Sequence, residues 1–273
     1  MLCTAIVNGI TTTYEDTGEA AGETILLIHG HPFDHTMWTP QTTALAAAGH
    51  RVLVPDLRGY GATRVVPGTT RLETFATDLA ALLDHLGVTD RIVLGGLSMG
   101  GQIAMECARR FPERLRALVL ADTFARAETP EGRRARNVMA DRLLREGMRG
   151  YTEEVLDKMV SPRTLAIRPA VAEHVRRMML GAPPEGAAAA LRGRAERPDY
   201  AASLARLAVP ALVLTGRDDT YTPVPDAEFL RDRIPDARLA VIEDAAHLPN
   251  LEQPDAFTSA LTAFLAALPE RVG

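Results

Sequence analysis

The sequence has little cysteine, almost no lysine and no long apolar stretch. Cys3 and Cys107 are the only cysteines among 273 residues, which excludes a disulfide framework or a multi-cysteine zinc site and favours a cytoplasmic location. Because no run of about eighteen apolar residues occurs, we expect no membrane-spanning helix. The first residues also lack the basic start and long apolar core of a signal peptide.

No block of one charge is present either. The formal net charge is −5 and the sequence contains no basic block, so the composition gives no support for nucleic-acid binding. Hydrophobic residues make up 47% and charged residues 24%, which is typical of an ordinary globular protein. We therefore expect neither nucleic acid nor a membrane as a partner, while homo-oligomerisation stays open.

Short apolar strands alternate with helical patterns along most of the chain. Asn8-Gly9 predicts a hairpin, and Leu72 to Leu86 and Pro254 to Leu268 predict helices. Buried strands are predicted at Thr24–Ile28, Arg51–Asp56, Arg91–Gly95, Leu115–Leu120, Ala211–Thr215 and Ala237–Ile242. The alternation predicts an α/β protein with a mostly parallel, eight-stranded sheet and helices on both faces.

Residues from about 124 to 200 break this alternation. They predict four helices, at about 131–147, 151–160, 169–180 and 184–196, and no strand. Because open α/β sheets bind ligands at the carboxyl ends of their strands, we expect this segment to form a helical cap over that edge. The expected domains are a core of residues 1–123 and 201–273 and a cap of residues 124–200. A helical decoration without a lid role is the alternative.

The most informative motif is Gly96-Leu97-Ser98-Met99-Gly100, which lies between a predicted strand and an amphipathic helix. In that setting a sharp turn exposes the central serine above the sheet, and small residues two positions away leave room for it. Ser98 would then lie at a helix N-terminus, where N–H groups and the helix dipole favour a developing oxyanion. Ser98 is therefore the predicted nucleophile.

A serine nucleophile needs a base, and the base needs a carboxylate. In hydrolases with this motif the order along the chain is serine, acid, histidine, and only His174 and His247 follow Ser98. His174 lies in a helical stretch of the insert, whereas His247 follows the last predicted strand. His247 is therefore the predicted base.

Three aspartates are candidates for the carboxylate that orients the base. Asp218 and Asp219 share the loop after the strand that ends at Thr215, and Asp219 lies further along it, while Asp218 is expected to face solvent. Asp122 is a third candidate because it directly follows another predicted strand.

Two backbone N–H groups are expected to hold the oxyanion. One belongs to Met99, the residue after the nucleophile, and the other to His31, in the loop after the first buried strand. The neighbouring Pro32 has no N–H to offer. The side chains of His29, His31 and His35 suggest a metal site, but no complete ligand set accompanies them, so we expect no metal.

Together these residues resemble the α/β-hydrolase superfamily over nearly the whole chain. The motifs are His29-Gly30-His31-Pro32, Asp56-Leu57-Arg58-Gly59-Tyr60-Gly61, Gly96-Leu97-Ser98-Met99-Gly100-Gly101, Gly216-Arg217-Asp218-Asp219 with Pro223, and Ala246-His247-Leu248-Pro249. In the superfamily pattern the acid is the third residue after the glycine, which implies Asp219. A serine nucleophile distinguishes the chain from haloalkane dehalogenases and epoxide hydrolases, which use aspartate there.

Within the superfamily, the second half of the chain is similar to 3-oxoadipate enol-lactonases. The similar stretches are Leu118 to Thr123, Arg126 with Thr129-Pro130-Glu131, Pro183 to Gly186, and Ala245 to Pro254. The similarity implies a lactone or ester substrate whose carboxylate Arg126 would hold; a surface position for Arg126 is the alternative. Those enzymes usually have Asn-Ser in place of His29-Gly30 and a tryptophan near Gly132-Arg133. The His29 loop instead resembles bacterial esterases and cofactor-free haloperoxidases.

The sequence thus predicts a serine hydrolase of small carboxylic esters or lactones, with Ser98, Asp219 and His247 as catalytic residues and no cofactor. A thioesterase or a cofactor-free perhydrolase would use the same three residues. A ligand-binding protein without catalysis is the alternative from a different class. The presence of all three residues argues against it.

Overall fold

A computed structural model describes residues 1–270 and contains one eight-stranded sheet. The strands are β1 (Leu2–Val7), β2 (Ile10–Asp16), β3 (Thr24–Ile28), β4 (Arg51–Pro55), β5 (Ile92–Leu97), β6 (Leu115–Ala121), β7 (Ala211–Gly216) and β8 (Ala237–Ile242). Their order across the sheet is β1-β2-β4-β3-β5-β6-β7-β8. β1 and β2 form the predicted hairpin, β2 pairs antiparallel with β4, and all other neighbours are parallel. The predicted fold class is confirmed.

Helices fill the connections between the strands. In chain order they are α1 (Thr39–Ala47), α2 (Leu72–His85), α3 (Met99–Arg110), α4 (Pro130–Glu146), α5 (Met148–Met159), α6 (Pro162–Ile167), α7 (Pro169–Gly181), α8 (Pro184–Ala195), α9 (Ala201–Leu204), α10 (Val224–Arg233), α11 (Pro249–Glu252) and α12 (Pro254–Ala266). Helices α1 and α10 carry no regular apolar period, and α6, α9 and α11 are short, so the sequence pattern did not predict these five. Over residues 1–270, no helix has the length and apolar character needed to cross a bilayer.

Apolar side chains cover both faces of the sheet. On one face Phe75 of α2 and Ile103 of α3 share a buried cluster with Leu118 of β6. On the other face Phe257 of α12 shares a cluster with the next strand residue, Val119. Neighbouring residues of a strand point to opposite faces of the sheet. The consecutive apolar residues Leu118 and Val119 therefore suit a strand, β6, that is buried on both sides. The two layers hold the strand ends, and so the loops that follow them, in fixed positions.

The segment between β6 and β7 is helical, and no strand occurs among its residues, all of which are described. It contains six helices, α4 to α9; five of them, α4 to α8, lie within residues 124–200, where four were expected. The additional helix is α6, which begins after Ser161; the Ser161 hydroxyl caps it by accepting the Thr164 N–H at 3.2 Å. Helix α4 packs along α8, and α5 packs on α7.

Helix α8 contacts the connection between β4 and α2 through two glycines. Gly186 lies against the backbone of Gly59, and Gly193 lies against the Thr70 carbonyl, so closely that a Cβ atom on either glycine would collide with that backbone. The Thr70 N–H also donates to the Ala189 carbonyl at 3.0 Å. This close contact brings the end of α8 near the turn that carries Ser98.

Candidate active site

Ser98 lies in the tight turn between β5 and α3. Its φ of 57° and ψ of −114° fall in a region that L-residues rarely adopt. The Ser98 N–H donates to the Ala121 carbonyl at 2.9 Å, and the Thr123 hydroxyl donates to the Ser98 carbonyl at 2.8 Å. These bonds to and beside β6 hold the strained residue in place, which is the geometry of a nucleophile elbow.

The glycines on either side of Ser98 are required by close backbone contacts. A Cβ atom on Gly96 would collide with the Gly100 carbonyl, and one on Gly100 would collide with the Ile28 carbonyl at the end of β3. The first turn of α3 therefore lies directly against the ends of β3 and β5. This packing sets the serine at a helix N-terminus, as the motif predicted.

His247 and Asp219 meet at the carboxyl ends of β7 and β8. The two loops that follow these strands bring His247 Nδ1 to 2.8 Å from Asp219 Oδ2. The same carboxylate accepts the N–H groups of Tyr221 at 2.8 Å and Thr222 at 3.2 Å, together with the Thr222 hydroxyl. Since a carboxylate only accepts, His247 carries its proton on Nδ1, which leaves Nε2 free to accept another.

Asp219 is held in its ionised form. Burial alone would raise the pKa of its carboxyl, but the adjacent His247 and the hydrogen bonds from His247, Thr222 and the Tyr221 N–H together lower that pKa well below its ordinary value. An ionised, fully hydrogen-bonded carboxylate can orient an imidazole and stabilise its protonated form.

Asp122 and Asp218, the other two candidate acids, have no contact with His247 at hydrogen-bond distance. Asp218 is exposed. Asp122 is buried just after β6, with a φ of 43°, and its Oδ1 accepts the Gly216 N–H at 2.9 Å. Burial and the negative charge of Asp219 raise the pKa of Asp122 well above its ordinary value. Both effects favour the neutral form of the Asp122 carboxyl.

A cavity of about 220 Å³ brings the candidate residues together. From the core, its walls include His31, Ser98, Tyr221, Thr222 and His247. The helical segment between β6 and β7 contributes Phe124, Arg136, Tyr151, Met159, Leu191 and Arg194. Both halves of the molecule therefore form the wall around Ser98.

Of the two residues expected to supply the oxyanion donors, His31 lines this cavity, and Met99 directly follows Ser98, which also lines it. Met99 is the first residue of α3, and the first N–H groups of a helix have no partner inside the helix. The His31 side chain lines the cavity, with its Nδ1 atom 2.7 Å from the Tyr60 hydroxyl. Burial and the nearby Arg194 lower the pKa of His31 well below its ordinary value, so its ring is neutral.

Arg126 is not part of the cavity wall. Its guanidinium pairs with Asp226 at 3.1 Å and lies 4.0 Å from the centre of the Phe229 ring, and its side chain is 55% exposed. This ion pair and this stacking hold the side chain against α10. His174, the other histidine after Ser98, contacts Thr36 instead.

The three histidines that suggested a metal site have separate partners. His29 Nε2 accepts the Leu57 N–H at 2.9 Å, His31 contacts Tyr60, and His35 pairs with Asp56 at 2.8 Å. All three imidazoles are thus tied to the segment from Asp56 to Tyr60, each through a different residue.

Three polar residues of the cavity wall were not predicted from the sequence. They are Arg136 of α4, Tyr151 of α5 and Arg194 of α8. In an arginine-rich chain, an arginine in a predicted helix is expected to lie on the surface. The position of Arg194 in the sequence therefore does not distinguish it from the other helical arginines. The available signal was Gly186 and Gly193 within a predicted helix. Small residues at helical spacing indicate a close backbone contact.

Comparison with known proteins agrees with this geometry. The model of the alpha/beta hydrolase family matches residues 25–260. The 3-oxoadipate enol-lactonase 2 of Acinetobacter baylyi is 29% identical over 96% of each chain, so that similarity extends beyond the second half in which it was noticed.

Two solved structures are similar over nearly their whole length. An esterase from Thermogutta terrifontis, determined with malate bound, is 43% identical with a TM-score of 0.94 and covers 98% of this chain and 99% of its own. The enol-lactonase of Burkholderia xenovorans LB400 is 31% identical with a TM-score of 0.89, over 97% of this chain and 100% of its own. With the elbow, the strand order and the family match together, the chain belongs to the alpha/beta hydrolase family.

Proposed function

We propose that the protein hydrolyses small carboxylic esters or lactones through an acyl-enzyme on Ser98. The observation that carries this proposal is the pairing of His247 with Asp219 beside a cavity that His247 and Ser98 both line. The names of the similar proteins, two enol-lactonases and an esterase, agree with an ester or lactone bond as the target.

In the proposed reaction the Ser98 hydroxyl attacks the acyl carbon and His247 Nε2 takes its proton. The tetrahedral intermediate then collapses, the bond to the leaving oxygen breaks, and His247 returns the proton to that oxygen. Water next attacks the acyl-enzyme with His247 again as base, and the acid and free Ser98 are released. Asp219 keeps the Nδ1–H tautomer and stabilises the protonated ring.

The N–H groups of Met99 and His31 are proposed to hold the oxyanion. Donors aimed at the developing charge are among the largest contributions to such reactions. Met99 has the more rigid position, because its N–H belongs to the first turn of α3. Apart from the attacking water, every role in this reaction scheme is assigned to a side chain or a backbone N–H of the protein.

Residues 124–200 are proposed to act as a cap that selects the substrate, over a core of residues 1–123 and 201–273. Support comes from the cavity wall, to which this segment contributes six of eleven residues. The 220 Å³ volume favours a small substrate. The unpaired Cys3 and Cys107 agree with action in the cytoplasm.

The proposal is tested by comparing the wild type with Ser98→Ala on a panel of esters, lactones and thioesters. We expect wild-type turnover of an ester or lactone, and a loss of about four orders of magnitude in Ser98→Ala. Ser259→Ala, on the exposed side of α12, is the matched control and should leave the rate unchanged. Retention of more than about a tenth of the rate by Ser98→Ala would rule out the proposed nucleophile.

A further inference from the structure

Arg194, near the end of α8, is a buried cation without a counter-ion. The residue is 7% exposed. Its Nε donates to the Gln102 side-chain oxygen at 3.0 Å, which is a neutral acceptor. Along residues 1–270, no carboxylate comes within ion-pair distance of its guanidinium, and its two Nη groups have no protein acceptor. Burial of a charge in this way is costly unless something pairs with it.

Two neighbouring arginines add to the excess of positive charge around Arg194. Arg136 and Arg197 lie near Arg194, and both pair with the same carboxylate, that of Glu128. Two of the three arginines therefore share one acid, and the third, Arg194, pairs with none. Burial first, and then the charges of Arg136 and Arg197, lower the pKa of Arg194 well below its ordinary value. A bound anion would relieve each of these effects.

The same guanidinium faces the site of the proposed chemistry. Arg194 and Arg136 line the cavity that contains Ser98 and His247, and Tyr151 lies in the same wall. Because Gln102 holds the Nε edge, the two Nη groups remain as a fixed pair of donors. Two parallel N–H groups on a planar guanidinium match the two oxygens of a carboxylate.

We propose that Arg194, with Arg136 beside it, binds a carboxylate carried by the substrate, so that the enzyme selects esters or lactones with a negative charge away from the scissile bond. This inference rests on the proposed function, since it names the substrate class of the same cavity. Selection arises because a neutral substrate leaves the buried cation unpaired, whereas an anionic one pairs with it.

Matched substrates test the proposal. One pair carries the test group on the acyl side: the monoethyl ester of glutaric acid and the ethyl ester of its monoamide. The other pair carries it on the alcohol side: 4-acetoxybutanoate and 4-acetoxybutanamide. The amide has nearly the shape of the carboxylate without its charge. We expect kcat/KM to favour the carboxylate by about 10- to 100-fold in at least one pair, as a buried charge-assisted contact would.

Variants assign the preference to Arg194. In Arg194→Gln the carboxylate preference should fall to less than about threefold, mainly through KM, while hydrolysis of the neutral amide ester continues. Arg194→Lys keeps a cation but loses the paired donors, so it should restore part of the preference and serves as the check on folding. Arg192→Gln is the control. Arg192 lies on the same helix but does not line the cavity, and it pairs with Asp141 at 2.7 Å.

The outcomes separate this inference from the proposed function. Equal rates on carboxylate and amide in both wild-type pairs, or a preference that survives in Arg194→Gln, would overturn the carboxylate site while leaving ester hydrolysis intact. Failure of the wild type to hydrolyse any member of either pair, together with an active Ser98→Ala on the ester panel, would instead overturn the proposed function. Competitive inhibition by glutarate that disappears in Arg194→Gln would support the site independently of turnover.

Discussion

The strand-edge site and the helical segment between β6 and β7 balance their buried charges differently. At the strand edge, Asp219 pairs with His247 and Asp56 pairs with His35, each at 2.8 Å. In the helical segment, Arg194 is buried with only the neutral side chain of Gln102 as its partner. These two ion pairs of the strand edge are thus complete in the free protein, whereas Arg194 in the helical segment gains its counter-ion, on our proposal, from an anion that binds.

This difference suggests a division of labour within one cavity. A group that performs chemistry must be correctly oriented before substrate arrives, so its partners belong to the protein. A group that selects a substrate works best when its partner is on the substrate, because the wrong molecule then leaves it unpaired. The predictions below test the two regions separately.

Asp219→Asn is expected to have the largest effect in this comparison, a fall in kcat of about 10³- to 10⁴-fold. An asparagine cannot stabilise the protonated imidazole, and its amide group favours the wrong tautomer of His247. The measurement is ester hydrolysis at saturating substrate and neutral pH, with thermal unfolding as the check that the variant folds.

Asp122→Asn is the matched control, the same chemical change at the end of the neighbouring strand. The raised pKa of Asp122 favours its neutral form, whose charge an amide preserves, and the amide oxygen can still accept the Gly216 N–H. We expect kcat to fall by less than about tenfold. A larger loss in Asp122→Asn than in Asp219→Asn would move the catalytic acid to β6.

Asp122→Asn should also raise stability, by an amount that grows with pH. In the wild type, the stabilisation that goes with the raised pKa of Asp122 is fully present only below the ordinary carboxyl pKa, and it is lost as pH rises. As pH rises above the ordinary carboxyl value, the unfolded chain loses this proton while the folded chain keeps it. The variant's advantage in the free energy of unfolding should therefore increase by at most about 1.4 kcal/mol per pH unit from pH 4.

The experiment is denaturant unfolding of both proteins between pH 4 and pH 8. A constant difference across that range would show that Asp122 ionises normally in the folded protein. The strand edge would then contain two adjacent negative charges rather than one acid and one carboxylate.

Arg126→Ala is expected to have the smallest effect. Its guanidinium is half-exposed and already paired with Asp226, and exposed ion pairs contribute little. KM should change by less than about twofold for the carboxylate ester and for its amide. A selective rise in KM for the carboxylate ester would place the substrate anion at Arg126 and count against Arg194.

Much of the strand edge could be predicted because its residues lie in short motifs. Gly96, Ser98 and Gly100 are close in sequence, and their spacing reflects backbone contacts within one turn. Asp218 and Asp219 were harder to separate, since both lie in one loop and only the fold buries the second. Asp122 could be named as an alternative, but its neutral state depends on the distance between two strand ends.

The charge pattern of the helical segment could not be predicted. Arg126 lies five residues after the end of β6, whereas Arg194 lies far along an alanine-rich helix. What decides between them is tertiary: Asp226 of α10 draws Arg126 away, and the contacts of Gly186 and Gly193 bring α8 to the cavity. Such contacts join residues more than 50 positions apart, beyond the reach of local patterns.

Covalent labelling tests the central claim most directly, since that claim is a nucleophile at Ser98 activated by His247. The protein is incubated with a fluorophosphonate, and the intact mass and the labelled peptide are measured over time. We predict one adduct on Ser98, formed at a rate at least about 100-fold lower in His247→Gln and absent in Ser98→Ala. An unlabelled wild-type protein, or an adduct on another residue that persists in Ser98→Ala, would contradict the account.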